Sequence, residues 1–319
     1  MPSPTTLGTR IRTNIPSQQA YDALFKTSSE IAQSQLRLSS GRRINAASDD
    51  VSGFITSRSL ISRNSSLRSS LLSAGEALNV TAIANDSFDN IHGLLKGIRS
   101  SSLIASSDSL GTDEKVSLAK AAYRLAQQVQ FIVDSTVFGG KQLLQGNFSA
   151  DWTVGLRGDN GFLEVELDLS SLNSDLSQDG SNFNLNSTTN QITIDSTEVN
   201  IFAGVTGLDL ENLNDVMESN LGIFNNENIY IFIDQIGEAM NNVAIAGAYV
   251  GGIQQRLKSQ NQTLLSQITN YDSAISRIDD ADIAEEQLNL LKNQFLQKTS
   301  LNSLTQANAN SLDYFRLFV

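Results

Sequence analysis

The residues best suited to chemistry in this chain are few and scattered. His92 is the single histidine. It sits in a strongly helical stretch, where a lone imidazole reads as a surface or interface group. Cysteine is absent, which removes disulfides and thiol-ligated zinc or iron. The densest titratable group is Asp279-Asp280-Ala-Asp282-Ile-Ala-Glu285-Glu286. Carboxylates this close suggest a metal site or an acid–base pair, but the run lacks the glycine and ligand spacing of a calcium loop. Asp282 and Glu285 instead fit an N-cap pair of the D-x-x-E type at the start of a new helix. Ser48-Asp49-Asp50 before Val51 reads the same way, with Ser48 or Asp49 as the cap. Gly139-Gly140 and Gly251-Gly252 are not phosphate loops, since no GxxxxGK followed by Ser or Thr accompanies them. The first pair reads as the turn into a hairpin. The second reads as small residues that permit close packing within a helix. Asn147-Phe-Ser149 and Asn186-Ser-Thr188 have the glycosylation pattern, which arises by chance in Asn/Ser-rich sequence. No catalytic set assembles, so neither enzyme activity nor a cofactor or metal is expected.

Partners are bounded by charge. The formal net charge is −12 over 319 residues, and nucleic-acid binding needs a basic stripe to neutralise phosphates. Residues 1–46 carry six Lys/Arg against Asp22 and Glu30, while 280–319 carry three against five carboxylates. The ends are weakly complementary, and the acidity lies between them. The first 19 residues are polar, without the apolar run of a secretory signal. No run approaches the roughly 18 apolar residues of a membrane span, so membrane insertion is not expected.

The elements that must position any function are long helices. From Ile229, alternate steps of four and three reach Ile233, Ile236, Met240, Val243, Gly247, Val250, Gln254, Leu257, Asn261, Leu264, Ile268, Tyr271, Ile275 and Ile278. A heptad pattern held this long without proline predicts one helix with a narrow apolar seam, roughly 75 Å long at about 1.5 Å per residue. A second seam runs through Ala74, Ala77, Thr81, Ala84, Phe88, Ile91, Leu95 and Ile98. A third helix starts near Thr112, with Asp113 and Glu114 in its first turn, and extends to about Asp134. From Gly139 to about Asn225 the texture turns to Gly, Asn, Asp and Ser with alternating runs. These are Trp152–Leu156, Phe162–Leu167 and Ile192–Ile194, with Asp159-Asn-Gly161 as a hairpin turn. The termini are sparsely apolar (Ala20, Leu24, Ile31, Leu38; Leu288, Leu291, Phe295), too weak to fold alone but able to pair or to order on assembly. The fold class is therefore mainly α: a long antiparallel bundle or coiled coil from both chain ends, with a small β-rich insertion.

The stretch Leu38-Ser39-Ser40-Gly41-Arg42-Arg43-Ile44-Asn45-Ala-Ala-Ser-Asp49-Asp50-Val-Ser-Gly53 closely resembles the N-terminal signature of bacterial flagellins. Ile11-Arg-Thr-Asn-Ile-Pro-Ser17 is similar to their start. Ser276-Arg277-Ile278-Asp-Asp280-Ala-Asp282-Ile-Ala-Glu285 and Gln306-Ala307-Asn308 resemble their C-terminal signature. The resemblance implies a subunit that leaves the cell uncleaved through the flagellar type III channel and polymerises into the extracellular filament. It implies as partners other copies of the chain, an export chaperone and the export apparatus, and the filament cap and hook-associated proteins. It divides the chain into an inner channel domain (1–46 and 280–319), a helical core (47–140 and 227–279) and a surface-exposed, variable insertion (141–226). Phe88, Ile91, Leu95, Ile98, Ile236, Val243, Val250, Leu257, Leu264, Ile268, Ile275 and Ile278 are then the seam residues on which assembly depends.

Two departures stand out. The ending Ala309-Asn-Ser-Leu-Asp-Tyr-Phe-Arg-Leu-Phe-Val319 lacks the family's proline-containing, leucine-rich close. It keeps open an alternative, the hook–filament junction homologue, which ends on an aromatic tail. Family members recognised by toll-like receptor 5 carry an arginine, a leucine and a glutamate where alignment of Leu95–Arg99 and Arg124-Leu125 puts Gly97, Ser101 and Lys120 here. None matches, and Lys120 reverses a charge.

Overall fold

In the computed structural model, residues 14–145, 148–156, 162–169 and 210–316 are described. Five α-helices carry the fold: α1 (Ile15–Ser40), α2 (Val51–Ala105), α3 (Thr112–Ser135), α4 (Ile229–Asp279) and α5 (Ile283–Arg316). Among the described residues between α3 and α4 lie two antiparallel hairpins, β1 (Val137–Phe138) with β2 (Lys141–Gln142), and β3 (Ser149–Leu156) with β4 (Phe162–Asp168). Short 3₁₀ turns at Glu211–Leu213 and Gly222–Phe224 precede α4. None of the described helices is long and apolar enough to cross a membrane. The chain divides into two compact units, one holding the described residues up to Ser65 and from Ile268 onward, the other spanning Ser66–Gln267.

The second unit is an antiparallel packing of α2, α3 and α4. A Cβ on Gly247 would lie 4.0 Å from Phe88 Cβ, and one on Gly237 would lie 3.9 Å from the Arg99 guanidinium, so α4 descends as α2 climbs. Every step of the α2 seam from Ala74 to Ile98 is buried, with Leu95 and Ile98 fully enclosed. Along α4, Ile229, Ile233, Ile236, Val243, Val250, Leu257 and Leu264 are buried, while Met240, Gly247, Gln254 and Asn261 are half-buried. Alanines at 74, 77, 84, 119, 122, 126, 239 and 246 are all buried. Such small residues let helix axes approach closely, and each large seam residue then contributes roughly 1.5–3 kcal/mol by leaving water. Gly251-Gly252 departs from the expected close packing: nothing lies within 4 Å of a Cβ built at either position.

α3 spans the residues expected from its acidic first turn. Glu114 Oε2 accepts from the Gly111 backbone N–H at 2.5 Å, closing that turn. Gly139 and Gly140, at φ 58° and 81°, form the tight turn of the small β1–β2 hairpin rather than the entry to the larger one. Trp152–Leu156 and Phe162–Leu167 do pair as β3 and β4, with an extra residue, Val154, bulged between Thr153 and Gly155. The bulge frees the Val154 carbonyl, which accepts from Gln260 Nε2 of α4 at 2.9 Å and docks the hairpin on that helix. Asp159-Asn-Gly161, Ile192–Ile194 and the two glycosylation patterns at Asn147 and Asn186 lie outside the described residues or rest on an asparagine that does.

Candidate functional site

In the first unit α1 and α5 run antiparallel, and the contact between them mixes half-buried apolar side chains (Leu24, Ile31 and Leu38 on α1, Leu290 and Leu304 on α5) with polar bonds. Ser17 Oγ donates to Asn308 Oδ1 at 2.9 Å, Gln297 Nε2 donates to Ser28 Oγ at 3.1 Å, and Arg37 Nη1 pairs with Glu286 Oε1 at 2.9 Å. Asn14 serves two ends at once. Its Oδ1 accepts from the Ser17 N–H to cap α1, and its Nδ2 donates to the Ala307 carbonyl. The buried residues of α1 are Thr27 and Ser34, and those of α5 are Glu286 and Asn293.

A second set of apolar residues on these helices points the other way. Phe25 is 71% exposed and Phe295 70%, and Tyr21, Leu36, Leu288, Leu291 and Leu301 are also exposed. Tyr21, Phe25 and Leu36 fall within about 60° on one side of α1, as do Leu288, Leu291 and Phe295 on α5, at the helical advance of roughly 100° per residue. The spacing Leu288, Leu291 and Phe295 on α5 therefore marks an outward face, whereas Ala20, Leu24, Ile31 and Leu38 on α1 fall on the half-buried face that meets α5. Exposed apolar stripes of this kind mark interaction surfaces.

The signature segments lie at the breaks between α1 and α2 and between α4 and α5, and the structure brings those breaks together. Gly41 ends α1 in the left-handed conformation at φ 70°, with its N–H returned to the Arg37 carbonyl. Its carbonyl accepts from the Ala281 N–H at 3.0 Å, and the Arg43 N–H donates to the Asp279 carbonyl at 2.6 Å. Arg42 pairs with the buried Asp279 at 3.5 Å and bridges to Asp280 in the backbone. Arg43 Nε and Nη2 both reach the Ile278 carbonyl, at 3.2 and 2.8 Å.

Around this joint each signature residue has a local task. Ser40 Oγ accepts from the Arg42 N–H, and Ser39 Oγ donates to the Leu36 carbonyl. Leu38 is half-buried, and Ile44 is the one apolar anchor of the 41–50 segment. Asn45 Nδ2 returns to the Arg42 carbonyl. The cap of α2 is neither Ser48 nor Asp49 but Asp50, whose Oδ1 accepts from the Gly53 N–H at 2.9 Å. Asp49 turns back instead, accepting the N–H groups of Asn45 and Ala46, and these bonds hold its carboxyl below the usual carboxylate range. A Cβ on Gly53 would strike Asp50 Oδ2 and would sit 2.6 Å from Ile44 Cδ1, so any larger residue must push aside the α2 cap and the Ile44 anchor. Asp282 caps α5 by accepting the N–H groups of Ala284 and Glu285, and Arg277 lies in the last turn of α4, where the helix dipole favours a cation. Gln306 bonds Asn310 along α5.

Other sequence candidates are dispersed. Ile268 is buried in this unit, while Ile275 and Ile278 are half-buried. His92 lines an open groove of about 540 Å³ in the second unit with Asp86, Phe88, Asp89, Val243 and Gly247. No cluster of three potential metal ligands occurs among the described residues. Gly97 and Ser101 share a hydrogen bond from Ser101 Oγ to the Gly97 carbonyl, and Lys120 is exposed on α3. Sequence reasoning missed Arg37, Arg43, Asp279 and Glu286 as partners across the helix breaks. The opposite charge of the chain ends was the single signal pointing to them.

Two family profiles match this chain: the bacterial flagellin N-terminal helical region over residues 11–149, and the bacterial flagellin C-terminal helical region over residues 233–315. The chain is 25% identical over 299 residues to a flagellin of Halalkalibacterium halodurans, covering 93% of this chain and 95% of that one. It is 24% identical over 324 residues to a flagellin of Bacillus subtilis, covering 97% and 99%. A flagellin of Treponema pallidum is 24% identical over 302 residues, covering 94% and 96%.

Proposed function

The chain belongs to the bacterial flagellin family, and from that premise we propose that it polymerises into the extracellular flagellar filament by covering the outward apolar stripes of α1 and α5. Flagellin is a structural subunit of the filament, and the family is not an enzymatic one. The observation that carries the proposal is the outward apolar face of the α1–α5 pair, where Phe25, Leu291 and Phe295 are exposed in addition to the apolar residues the pair half-buries between its helices. A contact between two different patches of one molecule closes into a ring only where its rotation closes, and otherwise propagates as a helix of subunits, the outcome proposed here.

The remainder of the assignment follows from the family. The α1–α5 pair forms the inner channel domain, the long α2–α3–α4 packing forms the wall, and the acidic insertion faces solvent. The subunit leaves the cell unfolded through the type III channel, escorted by an export chaperone, and meets the filament cap and hook-associated proteins at its destination. Heating purified chain to monomer and adding filament fragments as seeds tests the central claim. Elongation of the seeds is expected, and persistent monomer with intact termini refutes it. Immunogold labelling along the whole filament, rather than at its base alone, separates the filament subunit from the hook–filament junction homologue.

A further inference from the structure

We infer that Arg43 is the positioning residue that locks the two helix breaks into one joint, and so sets the direction in which α1 and α5 leave the long helices. A helix C-terminus leaves its last four carbonyls without intrahelical donors. In α4 the Ser276 carbonyl is taken by the Asp280 N–H, but those of Ile278 and Asp279 are both taken by Arg43, one through the guanidinium and one through the backbone. The same guanidinium lies 3.7 Å from Asp50 Oδ2, the carboxylate that caps α2. One side chain thus ties the end of α4 to the start of α2, and its planar fork can serve two acceptors where an ammonium serves as a point charge.

Farther along the two helices Asn64 Nδ2 of α2 donates to Asp272 Oδ1 of α4, so Arg43 is the tie at the breaks themselves rather than along the helices. Ile44 is the sole buried apolar side chain between residues 41 and 50, so hydrophobic packing contributes little there. Arg42 pairs with the buried Asp279 at 3.5 Å, but this pair reaches α4 alone, whereas Arg43 reaches both the end of α4 and the cap of α2. The direction of the paired helices therefore hangs on polar bonds, which can be exchanged for water without exposing apolar surface. The consequence for filament shape rests on the filament-subunit reading, while the lock itself does not.

Arg43→Met, which keeps the aliphatic stem and removes the donors, and Arg43→Lys test the lock by amide exchange of the full chain, as monomer and as polymer. In wild type the Ala281 amide, bonded to the Gly41 carbonyl, is expected to be protected in at least the polymer. Arg43→Met is expected to speed its exchange tenfold or more and Arg43→Lys by less, with amides around Leu95 and Leu257 unchanged. Filaments of the Met variant are expected to differ in curvature by electron microscopy. Unchanged exchange at Ala281, absence of protection in wild type, equal acceleration around Leu95, or faster exchange with unchanged curvature would each overturn the inference. Failure of the wild-type chain to polymerise would instead strike the filament reading, and the monomer exchange data would still decide the lock.

Discussion

Stability and assembly should separate cleanly at two leucines, and the separation tests the division between core and interface. Leu95 is fully buried in the α2 seam and Leu291 is 63% exposed on α5. Truncating a buried leucine costs about 2–5 kcal/mol, and an aspartate there adds the penalty of a buried, unpaired carboxylate. Against a typical domain stability of roughly 5–15 kcal/mol, Leu95→Asp should remove most or all of the cooperative unfolding transition of the second unit. Leu291→Asp replaces one exposed group by another, so the monomer should change by no more than about 0.5 kcal/mol. In the filament the same side chain must be covered. The lost burial alone is worth roughly 1.5–3 kcal/mol, and about 1.4 kcal/mol corresponds to a tenfold change in an equilibrium constant. The critical concentration should therefore rise at least tenfold. Urea titration followed by circular dichroism reads the first quantity, and sedimentation of seeded polymer across a concentration series reads the second. Leu291→Asp filaments that form at the wild-type critical concentration would show that the α5 stripe stays wet and refute the assignment.

Three further outcomes are expected. Gly53→Ala should lower the thermal midpoint of the polymer, because the added Cβ meets Asp50 and the buried Ile44; overpacking of about 1–3 kcal/mol outweighs the gain of roughly 1 kcal/mol in helix propensity. Asp49, with its carboxyl held low chiefly by the Ala46 and Asn45 N–H groups, contributes stability that is present above the usual carboxylate range and is lost as pH falls through the lowered value. Acid titrations of wild type and Asp49→Asn should accordingly diverge at neutral pH and converge in acid; parallel curves would remove Asp49 from the joint. Reporter cells bearing toll-like receptor 5 should respond weakly. Lys120 is exposed with the wrong sign, and an arginine at Gly97 would have to displace Leu125, whose Cδ1 lies 3.0 Å from a Cβ there. Potency equal to that of an enterobacterial flagellin would contradict this.

Much of the helical frame was legible because a seam writes its period into the chain. The α2 steps from Ala74 to Ile98 are all buried, and α3 starts at Thr112 where the acidic turn placed it. The breaks in the α4 seam at Gly247, Gln254 and Asn261 correspond to half-buried positions. What periodicity cannot write is the identity of the partner. Leu288, Leu291 and Phe295 form a regular stripe, yet α1 meets α5 through a neighbouring face that mixes Leu290 and Leu304 with polar groups. Capping failed by one residue for the same reason: Ser48, Asp49 and Asp50 can each cap a helix, and the choice falls to the fold of 45–49, where Asp49 is already occupied by Asn45 and Ala46. The meeting of residues 41–43 with 278–281 left no mark in either segment alone, because each reads as a complete local helix break.

That meeting also imposes an order of events. Gly41 bonds Ala281, and Arg37 bonds Glu286, across separations of 240 and 249 residues. Contacts so remote in sequence close slowly, since the intervening chain must be gathered first. The first signature emerges from the ribosome long before its partner exists, so its bonds to residues 278–281 form only once nearly the whole polypeptide has been made. A nascent or truncated chain is thereby kept from presenting a finished α1–α5 surface, and polymer-competent ends arise only on full-length molecules.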